Sequence, residues 1–262
     1  MSSKANKGDK LGDRMKSYEA AFKQVLPRRL PIIIRLDGVG FSEVCRKLAK
    51  PFDDKFINLM NETTLHLCKE IGDVVFAYTQ SDEISLLIHG FRQRNSEPWF
   101  GNQVQKMVSV AASKASSFFA VNSTSVFEKQ RTVAFDARVM LLPDWEVNNA
   151  FYWRQNDNVR NSVQMLARSM YSHAACSHKN IEQLKTMCNA LGKPWEQLEV
   201  KYQRGRCFYR RKESIFGLNK KTGETVASIR SKWFLDENAP IFIEDKNYIN
   251  QQILFQESIN DK

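Results

Sequence analysis

Two apolar, β-rich runs, Val74–Tyr78 and Ile84–Ile88, lie a few residues apart, and they constrain the fold of this chain more than any other feature. Their branched and aromatic residues favour extended backbone, and the short spacing makes them the arms of a hairpin of buried strands. A tight hairpin tip usually carries Asn-Gly or another glycine pair. Here the tip carries Ser81, Asp82 and Glu83 instead. Adjacent carboxylates at the end of buried strands need a physical reason.

The flanking segments supply the frame. Residues 1–12 are rich in Lys, Gly and Asp with no apolar period, and read as a flexible lead-in. Asp13–Gln24 is predicted to be a short helix, with Met15, Tyr18, Ala21 and Phe22 recurring at three- and four-residue intervals. Pro31–Leu36 is a strand ended by Asp37-Gly38. Asp53 or Asp54 can cap a helix reaching about Glu70. After the hairpin, an Ala- and Ser-rich helix is expected from Trp99 to Val121, then a strand over Thr132–Leu142 closed by Pro143-Asp144.

This order of strand, helix, strand, strand, helix, strand is the split βαβ, ferredoxin-like pattern of an α+β fold. It gives an antiparallel sheet with both helices on one face. Beyond Asn149 the pattern turns helical over Phe151–Ser172 and Ile181–Leu191, then basic, and Trp233–Pro240 reads as a loop. The expected division is a catalytic domain over 13–148 and a helical, basic region over 149–262 packed on it, with the boundary near Asp144–Asn149.

Bulk properties narrow the partners. A 262-residue chain that is 42% hydrophobic can bury a full core. It has no run of about eighteen apolar residues that would cross a membrane. The N-terminal stretch lacks the apolar segment of a secretory signal, and its acidic residues disfavour a mitochondrial presequence. Five cysteines without paired spacing suit a reducing cytoplasm. The net charge of +10 favours a polyanion, nucleic acid above all. Between Lys201 and Lys232 ten Lys or Arg face only Glu213 and Glu224, interleaved with Tyr202, Phe208, Tyr209 and Phe216. Cations beside aromatic rings suit RNA, and the competing reading is a solvated basic face over core aromatics.

In a split βαβ sheet the end of the first strand and the tip of the central hairpin lie side by side. Asp37 therefore converges with Asp82 and Glu83 across 45 residues of chain. Carboxylates gathered in a dry site repel one another. A hard divalent cation such as Mg²⁺ resolves this, completing its octahedron with water and substrate phosphates. Two such ions bridging a nucleoside triphosphate form a clamp for in-line phosphoryl transfer. The turn Asp37-Gly38-Val39-Gly40-Phe41 adds glycines that let backbone amides approach a triphosphate closely. DGxG alone is also an ordinary tight turn; its weight comes from its place beside the acidic tip.

The segments RLDGVGF at 35–41, KPFD at 50–53, FAYTQSDEISLLI at 76–88, FDARV at 135–139 and YWRQNDNVRNSV at 152–163 resemble the tRNA(His) guanylyltransferase family. The motifs occur in the family's order, and the resemblance covers roughly residues 14–215. It implies a palm domain like that of polymerases and nucleotide cyclases. It also implies 3′-to-5′ nucleotide addition to RNA with two or more Mg²⁺ ions and nucleoside triphosphates (ATP, GTP or others). Relatives of this kind are typically homotetramers in which tRNA crosses subunits. Carried onto this chain, the metal and catalytic acids fall on Asp37 and Asp82 with Glu83 beside them, and the Gly38 carbonyl is a further metal ligand. Triphosphate contacts fall on the backbone of Gly38, Val39, Gly40 and Phe41, with Lys50 and Ser81 alongside. Lys106, Arg138, Arg154 and Asn161 match positions for phosphate or the tRNA 5′ end, and Arg204, Arg206, Arg210 and Arg211 extend the RNA surface.

The implied chemistry has two phosphoryl transfers. ATP activates a 5′-monophosphorylated RNA end, releasing pyrophosphate; the 3′-hydroxyl of an incoming nucleotide then attacks the activated phosphate and displaces AMP. Positioning and charge neutralisation carry most of such catalysis. The sequence departs from the family where members that extend tRNA(His) carry His-Ile-Asn-Asn. Here those positions are Val159-Arg160-Asn161-Ser162. That departure resembles the guanylyltransferase-like branch, which repairs truncated tRNA 5′ ends by copying the opposite strand. It makes templated repair the expectation and dedicated tRNA(His) extension the alternative. Ser42 and Phe52 replace the family's usual His and Asn.

His173, Cys176, His178 and Cys188 offer a rival zinc set, but the spacing fits no standard pattern and a helix face explains Cys188 as core. A nucleotide cyclase and a non-catalytic RNA-binding protein are the readings from other classes. The first would need no tRNA-sized basic surface, and the second would tolerate loss of Asp37 or Asp82.

Overall fold

Alternation along the first strand decides the layering of the molecule. The structure, a computed structural model, describes residues 10–89, 97–218 and 225–252. Strand β1 (Ile32–Gly38) sends Ile32, Ile34 and Leu36 to one face and Ile33 to the other, and all four are buried. Beside it lie β3 (Glu83–Ile88) and β4 (Phe135–Leu141), with β2 (Val74–Gln80) beyond β3. The chain then adds β5 (Arg206–Leu218) and β6 (Thr225–Asp236). The six strands run in the order β4-β1-β3-β2-β5-β6, and every adjacent pair is antiparallel.

One face of this sheet carries α3 (Asp54–Glu70) and α4 (Val104–Asn122). Their Leu59, Met60, Leu67, Met107, Ala111 and Phe119 close a core with Ile34, Leu36, Ile84 and Leu86. Asp53 caps α3 by accepting the Phe56 N–H at 3.0 Å, as its position before the apolar run predicts. Small side chains at Ala111 and Ala115 let α4 lie close on the strands.

The opposite face is covered by α5 (Asp144–Met170), a 27-residue helix that follows Pro143. Residues 144–149, expected to be a boundary, are its first turns, and Val147 and Phe151 pack on Ile33, Phe76 and Leu87. Pro143 explains the earlier start, because proline suits the position just ahead of a helix where no N–H is needed. The C-terminal half of α5 packs through Val163, Leu166 and Ala167 against α6 (His173–Cys176) and α7 (Ile181–Ala190). Helix α8 (Val200–Arg204) leads into β5.

Other expectations are corrected by local backbone chemistry. Helix α4 starts at Val104 and not at Trp99, since Phe100 and Gly101 take left-handed backbone (φ 52° and 59°) that breaks a right-handed helix. The N-terminal helix α1 (Leu11–Ala20) forms, but it buries none of its residues, and Tyr18 and Phe22 remain 65% and 85% exposed. Trp233–Asp236, read as loop, is the end of β6, where its register with Cys207–Arg210 extends the sheet. The lead-in at residues 1–9, and Lys220, Lys221 and Glu224 of the basic segment, lie outside the described residues. Short helix α2 (Phe41–Val44) follows β1 directly.

Candidate functional site

The acidic hairpin tip is a two-residue connection, Ser81-Asp82, between the paired Gln80 and Glu83. Ser81 adopts φ 47°, a conformation that costs a non-glycine residue about 1–2 kcal/mol. Its hydroxyl donates to Asp82 Oδ1 at 2.9 Å, which fixes the carboxylate as a glycine could not. Asp82 O accepts the Gly38 N–H at 3.2 Å, so the tip is tied to the end of β1. Asp37 pairs in register with Glu83 on one side and Asp136 on the other. Opposed residues point to the same face, so the α5 side of the sheet carries Asp37, Glu83 and Asp136 together.

The three expected acids meet, but they play different parts. Glu83 is 5% exposed and gripped by Arg154, whose Nε and Nη2 donate to its two oxygens at 2.7 and 2.6 Å. Burial pushes the Glu83 carboxyl up, and the Arg154 bonds oppose that. Burial alone would lower Arg154, yet the bonds and charges of Glu83 and Asp157 carry it above the usual guanidinium value. The roles expected of this pair therefore change. Glu83, expected as a catalytic acid beside the metal pair, is ion-paired and not free, and Arg154, 8% exposed, is a strut inside the fold.

Asp82 is different. Burial raises its carboxyl above the ordinary range; the Ser81 hydroxyl lowers it, and the charge of Asp37 adds to the rise. Asp82 also lines a pocket of about 570 Å³ between the 41–53 segment, the hairpin tip and α5. Lys50 and Ser81, both expected there, line it too, and Lys50 Nζ donates to the Cys45 carbonyl at 3.3 Å.

Of the Asp37–Phe41 turn, Phe41 lines this pocket, whereas Asp37, Gly38, Val39 and Gly40 are not among its walls. Gly40 takes φ +69°. At Gly38 a Cβ would lie 2.4 Å from the Phe41 ring, so only glycine lets the ring fold under the turn. That ring is 2% exposed and packs against Phe119 and Phe135 at 5.2 and 5.1 Å. Phe41 thus anchors the loop to the core, and Val39 stands 54% exposed outside it.

The far wall was only partly foreseen. Asn161, expected to meet RNA, lines the pocket, joined by Gln164, Met165, Arg168 and Ser169. These positions fall at i, i+3, i+4, i+7 and i+8, one stripe of a helix, and that spacing was legible in the sequence. Ser42 lines the pocket as well, and Phe52 stacks on Tyr202 at 4.6 Å, tying the 50–54 corner to α8.

Of the arginines expected to meet RNA beyond α8, Arg206 is consumed by the fold, whereas Arg210 is half-buried and Arg211 exposed. Arg206 is 2% exposed, donates from Nε to Asn61 at 2.9 Å, and is pushed down to about 10 by burial. Arg210 lies over Trp233 at 5.1 Å and Arg211 over Phe234 at 3.4 Å. The Arg204 carbonyl accepts the Tyr78 hydroxyl at 2.8 Å. The interleaved rings Phe208 and Tyr209 are buried, so they offer no stacking surface. Lys106 sits in the first turn of α4 with Nζ 5.9 Å from the centre of the Phe100 ring, and is not among the residues that line the pocket. Arg138 pairs with Asp136 at 3.1 Å on the same sheet face as Asp37.

Among the described residues no three His, Cys, Asp or Glu side chains gather into a ready-made metal cage. Cys176 and Cys188, from the rival zinc set, are buried in the core beneath α5. Asp37, Asp82 and the Gly38 carbonyl still fit a Mg²⁺ ion, which takes one or two protein carboxylates and leaves its other positions to water and phosphate. Burial first, and then the charge of Asp37, raise the Asp82 carboxyl, and a bound cation would offset both. No helix among the described residues is long and apolar enough to cross a membrane.

Comparison with known proteins places these features. The tRNAHis guanylyltransferase family matches residues 12–143. The tRNA(His) guanylyltransferase of Schizosaccharomyces pombe is 34% identical over 151 residues, 55% of this chain and 54% of that protein, so the matched stretch is about half of its length. A bacterial tRNA(His) guanylyltransferase (Thg1)-like protein in complex with ATP superposes with a TM-score of 0.82 at 32% identity, covering 93% of this chain and 99% of that one. The same comparison with a bacterial Thg1-like protein in complex with GTP gives 0.77 at 33% identity, covering 94% and 99%.

Proposed function

This chain belongs to the tRNA(His) guanylyltransferase family of nucleotidyltransferases, and on that premise we propose that it adds nucleotides in the 3′-to-5′ direction to the 5′ ends of tRNA. The observation that carries this reading is the open pocket edged by Asp82, at the corner where Asp37 and Asp82 meet. The sheet would then be a ferredoxin-like palm, and the pocket between turn, tip and α5 would take a nucleoside triphosphate. The ATP- and GTP-bound relatives support nucleotide binding here.

Each side chain has a part. Asp37, Asp82 and the Gly38 carbonyl would hold Mg²⁺, which supplies charge neutralisation for phosphoryl transfer when bound. Ser81 fixes the orientation of Asp82. Backbone at Gly38–Phe41 and the Lys50 ammonium meet phosphate oxygens. Arg154 holds Glu83 and with it the start of β3, so the tip is rigid before any ligand arrives. Asn161, Gln164 and Met165 line the wall where the nucleotide's base or the RNA end would rest. The assembly is a homotetramer in this reading, and the exposed apolar residues of α1 are the surface it would cover.

Templated repair is favoured over dedicated tRNA(His) extension by Val159-Arg160-Asn161-Ser162, which presents no histidine to the pocket wall. The test is incubation with 5′-truncated, monophosphorylated tRNA, Mg²⁺ and four triphosphates. The expected product is extended by nucleotides complementary to the opposite acceptor strand. A single G added to tRNA(His) alone, with truncated ends untouched, would establish the alternative. No addition to any RNA, with normal binding, would leave an RNA-binding protein.

A further inference from the structure

Beyond the nucleotide pocket lies a second, smaller recess of about 230 Å³, bordered by Gln164, Arg168, His173, Ser177, His178 and Lys179. It shares Gln164 and Arg168 with the main pocket, so the two are neighbours across one turn of α5. Its lining includes no carboxylate. Among the described residues Arg168, His173, His178 and Lys179 enter no ion pair with an acid, in contrast to Lys185 close by, which meets Glu182 and Glu196. A concave set of the Arg168 and Lys179 cations, two imidazoles and hydroxyl and amide donors, with no acid among them, is complementary to a phosphate group.

Size and position select the source of that phosphate. The recess has less than half the volume of the main pocket, too little for a second whole nucleotide beside the first. Its outer wall, His173, Ser177, His178 and Lys179, takes no part in the main pocket where Asp82 lies, and only Gln164 and Arg168 are common to both. A strand whose end rests at Asp82 can run on past Arg168 and bring a further phosphate to that wall. We propose that this recess is a subsite for a backbone phosphate of the RNA, distinct from the reacting 5′ end. Arg168 is the shared post between the strand and the nucleotide pocket. The proposal rests on the reading of the chain as an enzyme of tRNA 5′ ends, and it deepens that reading by giving the strand a second point of attachment.

Lys179→Gln and His178→Asn test it. Both positions are exposed, and asparagine tolerates the left-handed backbone of residue 178 (φ 59°). Affinity for a fluorescent, 5′-truncated tRNA is measured by anisotropy over a salt series, with ATP affinity measured in parallel. Each variant is expected to weaken tRNA binding by roughly fivefold, and Lys179→Gln to lower the salt slope by about one. ATP affinity should stay within about twofold of wild type by the same local electrostatic argument. Unchanged tRNA affinity and slope, or no tRNA binding by the wild type, would overturn the subsite. An equal loss of ATP affinity would reassign the recess to the nucleotide. Because binding is read without turnover, a wild type that binds tRNA but adds no nucleotide would sink the enzymatic reading and leave the subsite standing.

Discussion

The two halves of helix α5 treat polar side chains in opposite ways. In the N-terminal half Asn148, Arg154, Gln155 and Asn158 are all buried and bonded. Asn148 Nδ2 and Gln155 Nε2 donate to the Phe242 and Pro240 carbonyls at 2.9 and 2.8 Å, and Arg154 grips Glu83. In the C-terminal half Asn161, Gln164 and Arg168 face a pocket. One half spends its polar groups holding the chain together; the other keeps them available. Charge count along a sequence therefore says little about binding until the partners of each charge are known. The basic segment after Lys201, where Arg206 is buried against Asn61 while Arg211 stays exposed, teaches the same lesson.

The largest expected effect breaks the first half. Arg154→Ala leaves Glu83 buried without a partner and should cost about 3–5 kcal/mol of stability in urea denaturation. The double change Arg154→Met with Glu83→Leu should recover much of that loss, because no charge or amide at either position is then buried without a partner. Full stability in Arg154→Ala would contradict the strut.

Asp82→Asn should lower nucleotide addition by about 10²–10³-fold while the fold persists. Here the sign of the pH dependence is opposite to that of a paired acid. A carboxyl raised by folding adds stability below its unfolded value and loses that contribution as pH rises through the folded one. At neutral pH the ionised Asp82 is a net cost, so Asp82→Asn should melt at or above the wild-type temperature. Wild-type activity, which needs the ionised form, should decline on acidification at a higher pH than an ordinary carboxylate would give. A lower melting temperature for Asp82→Asn would contradict the unpaired state of this acid.

Arg206→Met should cost about 1–3 kcal/mol through the stranded Asn61 partner, yet leave tRNA affinity of the folded protein unchanged. Arg168→Gln should show the reverse: stability within about 0.5 kcal/mol of wild type, as for other exposed positions, with weaker ligand binding. If Arg206 rather than Arg168 controlled RNA affinity, the contrast between the regions would be wrong.

Much of this was legible in residue order. The strand and helix succession, the Asp53 cap and the meeting of Asp37 with the hairpin tip all follow from local patterns and one topological rule. What escaped depends on partners distant in sequence. Glu83 and Asp82 look alike until Arg154, 71 residues on, takes one of them. Arg206 reads as a surface charge until Asn61 of α3 is placed beside it. The apolar stripe of α1 signals a helix correctly, but the period cannot say that Tyr18 and Phe22 find no cover among the described residues. Trp233–Asp236 lacked a strand's signature because the neighbouring Asn238 and Pro240 are turn formers, and only pairing with β5 makes it extended.

The Phe41 ring beneath Gly38 has one more consequence. The loop that presents Asp37 has no independent motion available to it, since lifting the loop would pull an aromatic plug out of the sheet's interior. Swapping Phe119 or Phe135, which are buried against the Phe41 ring, would thus loosen the Asp37 loop from behind. The interior and the mouth of the pocket behave as one mechanical part.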